Sequence, residues 1–446
     1  MTGKLPDPLS RFARERPGHL ALVTDTGERL SAQELDGAAG RFAAELARLG
    51  AGPGTVVGLE GAPGPAWLAA LAGCWRLGAI AAPLNHRLPA GENDLAALTM
   101  GCDLRWTPHA ELLIEDGAPC SETEHREWPA DQVLLRVCTS GSTGKPRCVE
   151  LLASQMHFSA LASTDRLGHR PSDRWLVCLP VNHVGALAAI YRCLHNQVTL
   201  ELHPGYDPDK VARRLDSGEI SMVSLVPSML EDILDRRGEQ AFPESLRVIL
   251  LGGSACSESL LDRCRPAGLP VALTWGMTEA ASQLATRVPG DLSPLAEGLP
   301  PLSFLSVSVD AGGRLVVDSP MSRGRLITTD LGELTPSGRV RILGRCDDLI
   351  IRGGENIYPG EIENVLRQHP CVTEAVVLPQ ADPRLGQVPV ALVQTGNIDV
   401  ESLRDWCRQR LAGFKIPARF ICIDEMPRTS AGKVDRQRLK ARLDRG

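Results

Sequence analysis

The chain has 446 residues, of which 43% are hydrophobic and 23% charged, and its net charge at pH 7 is −6. This length exceeds one ordinary hydrophobic core, so we expect two or three structural units. The mildly acidic balance gives no reason to expect a nucleic-acid partner. The apolar runs fall short of the roughly 20 residues of a membrane span, and the first residues are too charged for a secretory leader. These features predict a soluble, cytoplasmic protein.

Cysteine usage agrees with that compartment. The chain contains 13 cysteines, an odd number, and no two of them stand in a C-x-x-C pair. The histidines do not accompany them at zinc-site spacing, so neither a disulfide framework nor a structural metal is indicated. Reduced thiols in a cytosolic protein are the simplest interpretation.

The first 130 residues alternate helical and strand patterns. Ser31 is a plausible N-cap for a helix with one apolar face, and the glycines after residue 49 end that helix. A short strand over 55–59, a helix over Pro65–Leu77 and a strand over 79–84 follow. This strand–helix–strand order predicts an open α/β sheet.

A glycine- and hydroxyl-rich loop, TSGSTGKPR, follows an apolar strand over 132–138 and precedes an extended segment over 147–152. Glycines permit close approach of a ligand, and hydroxyls, backbone N–H groups and a lysine can converge on a polyphosphate. The Walker A pattern fails, because Thr139 stands where its first glycine belongs and Pro146 follows Lys145. A solvent-exposed turn is the alternative. The candidate phosphate-binding residues are Thr139, Ser140, Gly141, Ser142, Thr143, Gly144 and Lys145.

Later strands end in residues suited to a ligand site. The strand over 175–180 precedes His183, and the strand over 247–251 runs into Gly252, Gly253 and Ser254. A third strand, 271–274, leads into the sequence WGMTE over 275–279. Because ligands of α/β sheets bind at the carboxyl ends of strands, we expect these ends to line one crevice. Glu279 and Thr278 offer hard oxygen ligands for a nucleotide-borne Mg²⁺. For His183, packing inside a loop is the alternative.

From residue 305 the pattern changes to short β-hairpins, and a boundary is predicted at 344–348. Asp330, expected on a turn of the β-rich part, could hold the hydroxyls of a ribose, although exposed turn aspartates are common. A compact unit of about 100 residues follows, with a glycine loop at Gly353 and Gly354. Lys433 stands on a Ser/Gly-rich turn from which it could reach another domain's site. An ordinary surface lysine is the alternative.

Taken together, six segments resemble the adenylate-forming superfamily of acyl-CoA synthetases, luciferases and peptide-synthetase adenylation domains. The ordered set is TSGSTGKPR (139–147), PVNHVG (180–185), WGMTE (275–279), TTDLGEL (328–334), GRCDDLIIRGGENIYPGEIE (344–363) and PRTSAGKVDR (427–436). The resemblance implies an α/β fold with a large N-terminal domain over 1–343, built of α/β subdomains and a β-rich subdomain. It also implies a small, mobile C-terminal α+β lid over 344–446, with a hinge near Asp347.

The resemblance further implies a two-step ligase that uses a small carboxylic acid, ATP with Mg²⁺, and coenzyme A. The acid and MgATP would give acyl-AMP and pyrophosphate, and a thiol would then take the acyl group. In this scheme residues 139–145 hold phosphates, Glu279 binds the metal and Lys433 bridges the carboxylate and the α-phosphate. The lid then rotates, Lys433 leaves, and the loop at 353–354 lines the thiol tunnel.

Role by role, the implied catalytic residues are Lys433, Thr278, Glu279 and His183. Beyond the phosphate loop, the implied nucleotide contacts are Gly253, Trp275, Gly276, Asp330 and Arg345. The implied acid pocket comprises His183, Gly252, Ser254, Ala280 and Ser282. Three departures from the family pattern are visible: T-T-D replaces the usual T-G-D at 328–330, the segment between 317 and 328 is short, and the phosphate loop ends Pro-Arg.

Two segments, LGGSACSESLLDRC (251–264) and TWGMTEAASQLAT (274–286), resemble in particular the o-succinylbenzoate–CoA ligases of menaquinone biosynthesis. Other small aryl- or acyl-CoA ligases remain open, as does an adenylation enzyme that loads a carrier protein. A non-catalytic nucleotide-binding protein is the alternative from a different class. The sequence leaves the oligomeric state open, a homo-oligomer included.

Overall fold

The structure is a computed structural model that describes residues 3–109, 126–140, 146–238, 240–396, 399–429 and 432–444. Five of the predicted phosphate-loop residues lie outside the described residues, namely Gly141, Ser142, Thr143, Gly144 and Lys145. Throughout the described chain, no helix combines the length and the apolar character needed to cross a membrane.

The described helices are, in chain order, α1 Pro8–Glu15, α2 Ala32–Arg48, α3 Pro65–Leu77, α4 Ala90–Met100, α5 Ala153–Leu167, α6 Val184–Asn196, α7 Pro208–Asp216, α8 Pro227–Arg237, α9 Glu258–Cys264, α10 Pro359–Arg367, α11 Val400–Arg408 and α12 Arg436–Leu443. The start of α2 shows how local sequence sets these bounds. Ser31 accepts a hydrogen bond from the backbone of Glu34, whose carboxylate accepts one from the backbone of Ser31, so the predicted N-cap is confirmed as a full capping box.

The described strands of the first half are β1 Lys4–Pro6, β2 Leu20–Thr24, β3 Arg29–Ser31, β4 Val56–Leu59, β5 Ile80–Pro83, β6 Leu104–Trp106, β7 Glu127–Pro129, β8 Val133–Ser140, β9 Pro146–Leu152, β10 Arg174–Val177, β11 Thr199–Leu202, β12 Met222–Leu225 and β13 Val248–Leu251. Those of the second half are β14 Val271–Met277, β15 Ser282–Thr286, β16 Ser306–Val309, β17 Arg314–Ser319, β18 Gly324–Leu334, β19 Val340–Arg345, β20 Ile350–Arg352, β21 Glu355–Ile357, β22 Val372–Asp382, β23 Gly386–Thr395 and β24 Arg419–Ile423.

The largest sheet has the strand order β15-β14-β13-β12-β10-β11-β2-β3. Its strands from β14 to β2 are parallel, and β15 and β3 pair antiparallel at the two edges. Strands β10, β12, β13 and β14 are therefore neighbours, and their carboxyl ends meet at one edge of the sheet. The predicted crevice has its structural basis there.

A second sheet, β6-β4-β5-β8-β9, carries the phosphate loop. Its members are parallel except β9, which pairs antiparallel with β8 in a register that sets Thr139 opposite Arg147. The strands on either side of the loop are thus antiparallel partners. A Walker loop opens a helix instead, so the extended segment predicted after the loop is confirmed.

The β-rich part forms an antiparallel sheet, β16-β17-β18-β19. Strand β18 is longer than expected and includes Asp330, so the prediction that Asp330 lies on a turn is wrong. Without the usual glycine at position 329, the backbone stays extended, and Asp330 pairs in register with Arg345 of β19.

The chain after β19 builds a separate sheet with the order β21-β20-β23-β22, and β24 is added parallel to β23. Alternate residues of β22 point to opposite faces: Val377 packs with Leu403 of α11, whereas Val376 packs with Leu439 of α12. Both faces are buried because the sheet lies between helices. We call this unit, from β20 to α12, the lid. The boundary at 343/344 and the hinge at Asp347 stay predictions.

Candidate active site

The turn after β14 is tightly constrained. A short 3-10 helix over Thr278–Ala280 follows the strand, and Ala281 and Ser282 then adopt positive φ angles of 51° and 97°. A Cβ added to Gly276 would lie 1.6 Å from the carbonyl oxygen of Ser282, so only glycine fits there. Backbone strain of this kind, of order 1–3 kcal/mol per residue, persists where the surroundings enforce it. The turn presents Thr278 and the exposed Glu279 to the crevice.

Two buried side chains of α5 hold this turn from behind. The amide nitrogen of Gln155 donates to the carbonyl oxygens of Glu279, at 3.0 Å, and of Met321, at 2.8 Å. The Gln155 oxygen accepts from the backbone N–H of Leu152 and from Arg323, at 3.0 and 3.1 Å. Ser159 donates to the carbonyl oxygen of Ala281 at 2.7 Å. Glu279 is therefore positioned by hydrogen bonds to its own and the neighbouring backbone.

Trp275, Asp330 and Arg345 come together as expected. The indole nitrogen of Trp275 donates to Asp330 Oδ2 at 2.7 Å, and Arg345 Nη1 lies 3.7 Å from Asp330 Oδ1. Arg345 also forms an ion pair with Asp347 at 3.0 Å. One oxygen of Asp330 is thus fixed by Trp275, while the other faces the half-exposed guanidinium of Arg345. A carboxylate held in this way can accept hydrogen bonds from a diol.

The glycine turn after β13 brings the lid into the site. Gly253 has φ of 84°, and a Cβ there would lie 3.5 Å from Lys433 Cε and 3.9 Å from Lys433 Nζ. At Gly252 a Cβ would lie 2.5 Å from the Thr274 methyl group, so a side chain is excluded. Lys433, nearly 200 residues further along the chain, therefore reaches the carboxyl ends of β13 and β14.

Lys433 carries a positive charge in a cationic setting. Its ammonium group has no hydrogen bond or ion pair with any described residue, and the residue is exposed to water. The surrounding protein desolvates the ammonium group and, together with the charge of Arg345, lowers the pKa of Lys433. Lys433 and Arg345 thus bring two positive charges together, and Lys433 has no acidic partner in the described chain. This arrangement defines a site for an anion.

His183 lies beside Lys433 as the N-cap of α6. Burial, and then the charge of Lys433, lower the pKa of His183 to about 4. Its Nε2 atom is buried and has no hydrogen-bond partner among the described residues. At neutral pH His183 is therefore an uncharged ring with a free polar atom, suited to contact a ligand rather than to add charge.

The remaining predicted residues are distributed as follows. Thr139 Oγ1 donates to the carbonyl oxygen of Arg147 at 3.3 Å, and Ser140 ends β8. Of the acid-pocket candidates, Ala280 is buried, Ser282 is half-buried and Ser254 is exposed. Gly353 and Gly354 lie on the turn between β20 and β21, where the nearest side chain to Gly353 is Leu385 of the lid itself. The structure does not bring this turn together with Lys433.

Sequence reasoning missed Arg192. This residue is 1% exposed, its Nε and Nη1 atoms have no hydrogen-bond partner among the described residues, and burial lowers its pKa to about 9. Its Nη2 atom donates to Ser159 Oγ at 3.1 Å, and Ser159 in turn contacts Ala281. The sequence did contain one signal for this residue, because Arg192 interrupts the otherwise apolar run of α6 over 186–194. A buried cation without an anion is expensive unless a ligand supplies one.

These features define an AMP-binding enzyme. The family model described as AMP-binding enzyme matches residues 9–102 and 97–320, and that described as AMP-binding enzyme C-terminal domain matches 361–433. The chain belongs to this family, so the resemblance drawn from the motifs is confirmed.

Among relatives, 2-succinylbenzoate–CoA ligase of Bacillus cytotoxicus is 34% identical over 82% of the chain and 84% of that protein. Among solved structures, o-succinylbenzoate CoA synthetase of Bacillus subtilis with its acyl-adenylate intermediate superposes with a TM-score of 0.89, at 31% identity over 98% of both chains. The same enzyme with ATP and a magnesium ion gives a TM-score of 0.88 at 31% identity, over 98% of this chain and 100% of that one. The predicted fold class is confirmed.

A further structure of the Bacillus subtilis enzyme superposes less well. A double mutant bound to a product analogue is 30% identical over 98% of this chain and 99% of that one, and its TM-score is 0.72. The value for the acyl-adenylate complex, at nearly equal identity and coverage, is 0.89. The chain as a whole therefore superposes better on the adenylate complex than on the product-analogue complex.

Proposed function

We propose that the protein is an AMP-forming acid–CoA ligase whose acid is 2-succinylbenzoate. The observation that carries the reaction type is Lys433, a cation without an acidic partner beside Arg345 and the glycine turn at Gly253. A carboxylate attacking the α-phosphate of ATP brings two anions together, and a lysine ammonium group at their junction offsets that repulsion as the new bond forms.

The other side chains position the nucleotide. Asp330, oriented by Trp275 and faced by Arg345, accepts the ribose hydroxyls. Thr278 contacts the α-phosphate, and Glu279 holds Mg²⁺, which neutralises phosphate charge when bound. The described residues contain no cluster of three or more His, Cys, Asp or Glu side chains able to hold a metal ion. Phosphate and water oxygens would therefore complete the Mg²⁺ shell at Glu279.

Arg192 supports a substrate with two carboxylates. One carboxylate reacts next to Lys433 and the uncharged ring of His183. The second would neutralise Arg192, whose guanidinium lies behind the acid-pocket backbone at Ala281 through Ser159. A monocarboxylic acid would leave this cation buried and unpaired. 2-Succinylbenzoate, the acid named for the relatives in both comparisons, has two carboxylates.

In the second step, coenzyme A attacks the acyl-adenylate and AMP leaves. We assign residues 1–343 to the adenylate-binding domain and 344–446 to the lid, with the hinge near Asp347. Rotation of the lid withdraws Lys433 and brings the turn at Gly353 and Gly354 to the thiol path. Free ATP and coenzyme A as co-substrates support a cytoplasmic location and a place in menaquinone biosynthesis.

The test measures the two half-reactions separately. Pyrophosphate release is followed with 2-succinylbenzoate, benzoate and a medium-chain fatty acid, and thioester formation is followed from supplied 2-succinylbenzoyl adenylate. We expect release with 2-succinylbenzoate, loss of release in Lys433→Ala, and retention of thioester formation in that variant. No acid-dependent release with any of the acids would overturn the proposal. Equal loss of both steps in Lys433→Ala would overturn the role of Lys433. Coenzyme A is compared with a phosphopantetheinylated carrier protein to identify the acceptor.

A further inference from the structure

The N-terminal end of α8 contacts Gly432, the residue that precedes Lys433. Ser228 Oγ donates to the carbonyl oxygen of Gly432 at 3.1 Å. Gly432 has φ of 76°, and a Cβ there would lie 3.3 Å from a methyl group of Val226 and 3.6 Å from Met229 Cε. The residue preceding Lys433 is therefore held by one hydrogen bond and by apolar contact with the large domain.

Glu231 lies on α8 one turn beyond Ser228 and faces the lid. The charged groups around it are Glu374 of β22, Arg367 of α10, Arg428 of the segment before Lys433, and Arg263 of α9. Its carboxylate forms no ion pair or hydrogen bond with any described residue. On its own helix the adjacent charged group is Asp232, whose pKa is raised by burial. Glu231 is thus a carboxylate enclosed by the lid but not neutralised by it.

The lid groups that face Glu231 are already engaged with one another. Arg367 Nε lies 2.7 Å from Glu374 Oε1, and Arg428 Nη2 lies 3.8 Å from Glu374 Oε2. Arg428 also donates to the carbonyl oxygen of Gly432 at 3.0 Å. Because Arg367 and Arg428 are paired with Glu374, they do not neutralise the charge of Glu231. Burial, and then the like charge of Glu374, raise the pKa of Glu231 to about 7.

We propose that Ser228 and Glu231 are positioning residues that dock the lid for adenylate formation at the contact between α8 and the segment before Lys433. The inference rests on the proposed two-step function. Ser228 fixes the main chain next to Lys433, and Glu231 makes docking sensitive to pH. Neither residue touches the reacting atoms, so both act through the placement of Lys433.

The direction of the pH effect follows from linkage. When the lid leaves, Glu231 is exposed to water and returns to the ordinary range of a glutamate, so docking takes up a proton near neutral pH. The preference for the docked arrangement is greatest at acidic pH and falls as pH rises from the ordinary range of a glutamate to about 7. Above that pH it stays constant, because Glu231 is then charged in both arrangements. Adenylate formation therefore declines as pH rises to about 7 and then levels off, whereas thioester formation, which uses the other arrangement, does not decline in this way.

The experiment compares Ser228→Ala, Glu231→Gln and the control Asp209→Asn from pH 5 to 9. Asp209 is an exposed residue of α7 that pairs with Arg236 of α8 at 3.0 Å, so its replacement removes a carboxylate that is not among the charged groups around Glu231. Pyrophosphate release with 2-succinylbenzoate reports the first step, and thioester formation from supplied 2-succinylbenzoyl adenylate reports the second.

We expect Ser228→Ala to slow the first step about two- to tenfold, the effect of one hydrogen bond, and to leave the second unchanged. Glu231→Gln should abolish the fall in the first step that the unmutated enzyme shows as pH rises to about 7, and Asp209→Asn should follow the unmutated profile. Equal effects on both steps, or an unaltered pH profile in Glu231→Gln, would overturn the inference. If the unmutated enzyme releases no pyrophosphate, the proposed function fails instead.

Discussion

At the scale of single residues, Arg192 gives the sharpest prediction. We expect Arg192→Met to raise the KM for 2-succinylbenzoate about 10- to 100-fold, because a charge-assisted contact to the second carboxylate is lost. The same change should stabilise the ligand-free protein by about 1–4 kcal/mol, since an unpaired buried cation is replaced by an apolar side chain. Steady-state kinetics and thermal unfolding without ligand measure the two effects.

Benzoate serves as the internal control for Arg192. It has one carboxylate, so its weak turnover should not change in Arg192→Met. A similar rise in KM for both acids would show that the substitution disturbs the pocket in general. A fall in the melting temperature of the ligand-free variant would contradict the unpaired state of the guanidinium.

Residues inside ordered motifs could be predicted from the sequence, whereas residues that act through burial could not. Trp275, Asp330 and Arg345 were expected together and are within hydrogen-bond or ion-pair reach. Arg192 and Gln155 belong to no motif. Their importance lies in being buried with polar atoms that need partners, and burial is a property of the packed chain.

At the scale of elements, the sequence indicated the alternation of strands and helices well, because apolar periodicity reports on it directly. The helix expected over Pro65–Leu77 has those bounds in the structure. The turn expected at Asp330 is wrong, because the residues before it, Thr328 and Thr329, favour an extended strand.

The hydrogen bonds that join Gln155 of α5 to the turn after β14 give the second prediction. Gln155→Leu removes the donors to the carbonyl oxygens of Glu279 and Met321 while keeping most of the side-chain volume. The buried carbonyl of Met321 and the part-buried carbonyl of Glu279 lose a partner, and a buried acceptor left without one costs about 1–3 kcal/mol. We expect the turn at Thr278–Ala280 to loosen and the Mg²⁺ concentration for half-maximal pyrophosphate release to rise about tenfold or more.

The thioester step separates positioning from general damage in Gln155→Leu. With 2-succinylbenzoyl adenylate supplied, no pyrophosphate-bearing metal complex is needed, so the rate should change less than threefold, about 0.6 kcal/mol in activation free energy. Thr164→Val, which removes a hydroxyl of the same helix that bonds Ala160 and Asn196 rather than the turn, is the matched control. An unaltered Mg²⁺ dependence in Gln155→Leu would contradict the positioning of Glu279.

At the scale of the whole molecule, the sequence indicated which parts exist but not how they meet. The motif order implied a lid, and its separate sheet is present. The contact between Ser228 and Gly432 joins residues 204 positions apart. Such a contact depends on the arrangement of two units, and no local pattern in α8 encodes it. The site is thus completed by packing across the molecule.

Stability against acid is a property of the whole chain, because every buried titratable group contributes to it. Burial lowers the pKa of His169 to about 3 and that of His195 to about 4, as it does for His183. Between pH 6.5 and 5 these histidines bind protons in the unfolded chain but not in the folded chain. The free energy of unfolding therefore falls as pH falls. Each ring contributes at most about 1.4 kcal/mol per pH unit. Glu231 opposes them, because its raised pKa lets the folded chain take up one proton in this range.

His169→Phe tests this balance. The His169 ring packs edge-on against Trp175 at 5.3 Å, and neither of its nitrogens has a hydrogen-bond partner among the described residues. Phenylalanine keeps the ring contact and cannot bind a proton. We expect the variant to melt at a higher temperature than the unmutated protein at pH 5 and to lose less stability between pH 7 and 5. An equal loss in the two proteins would mean that His169 accepts its proton in the folded state, which its enclosure between α5 and β10 opposes.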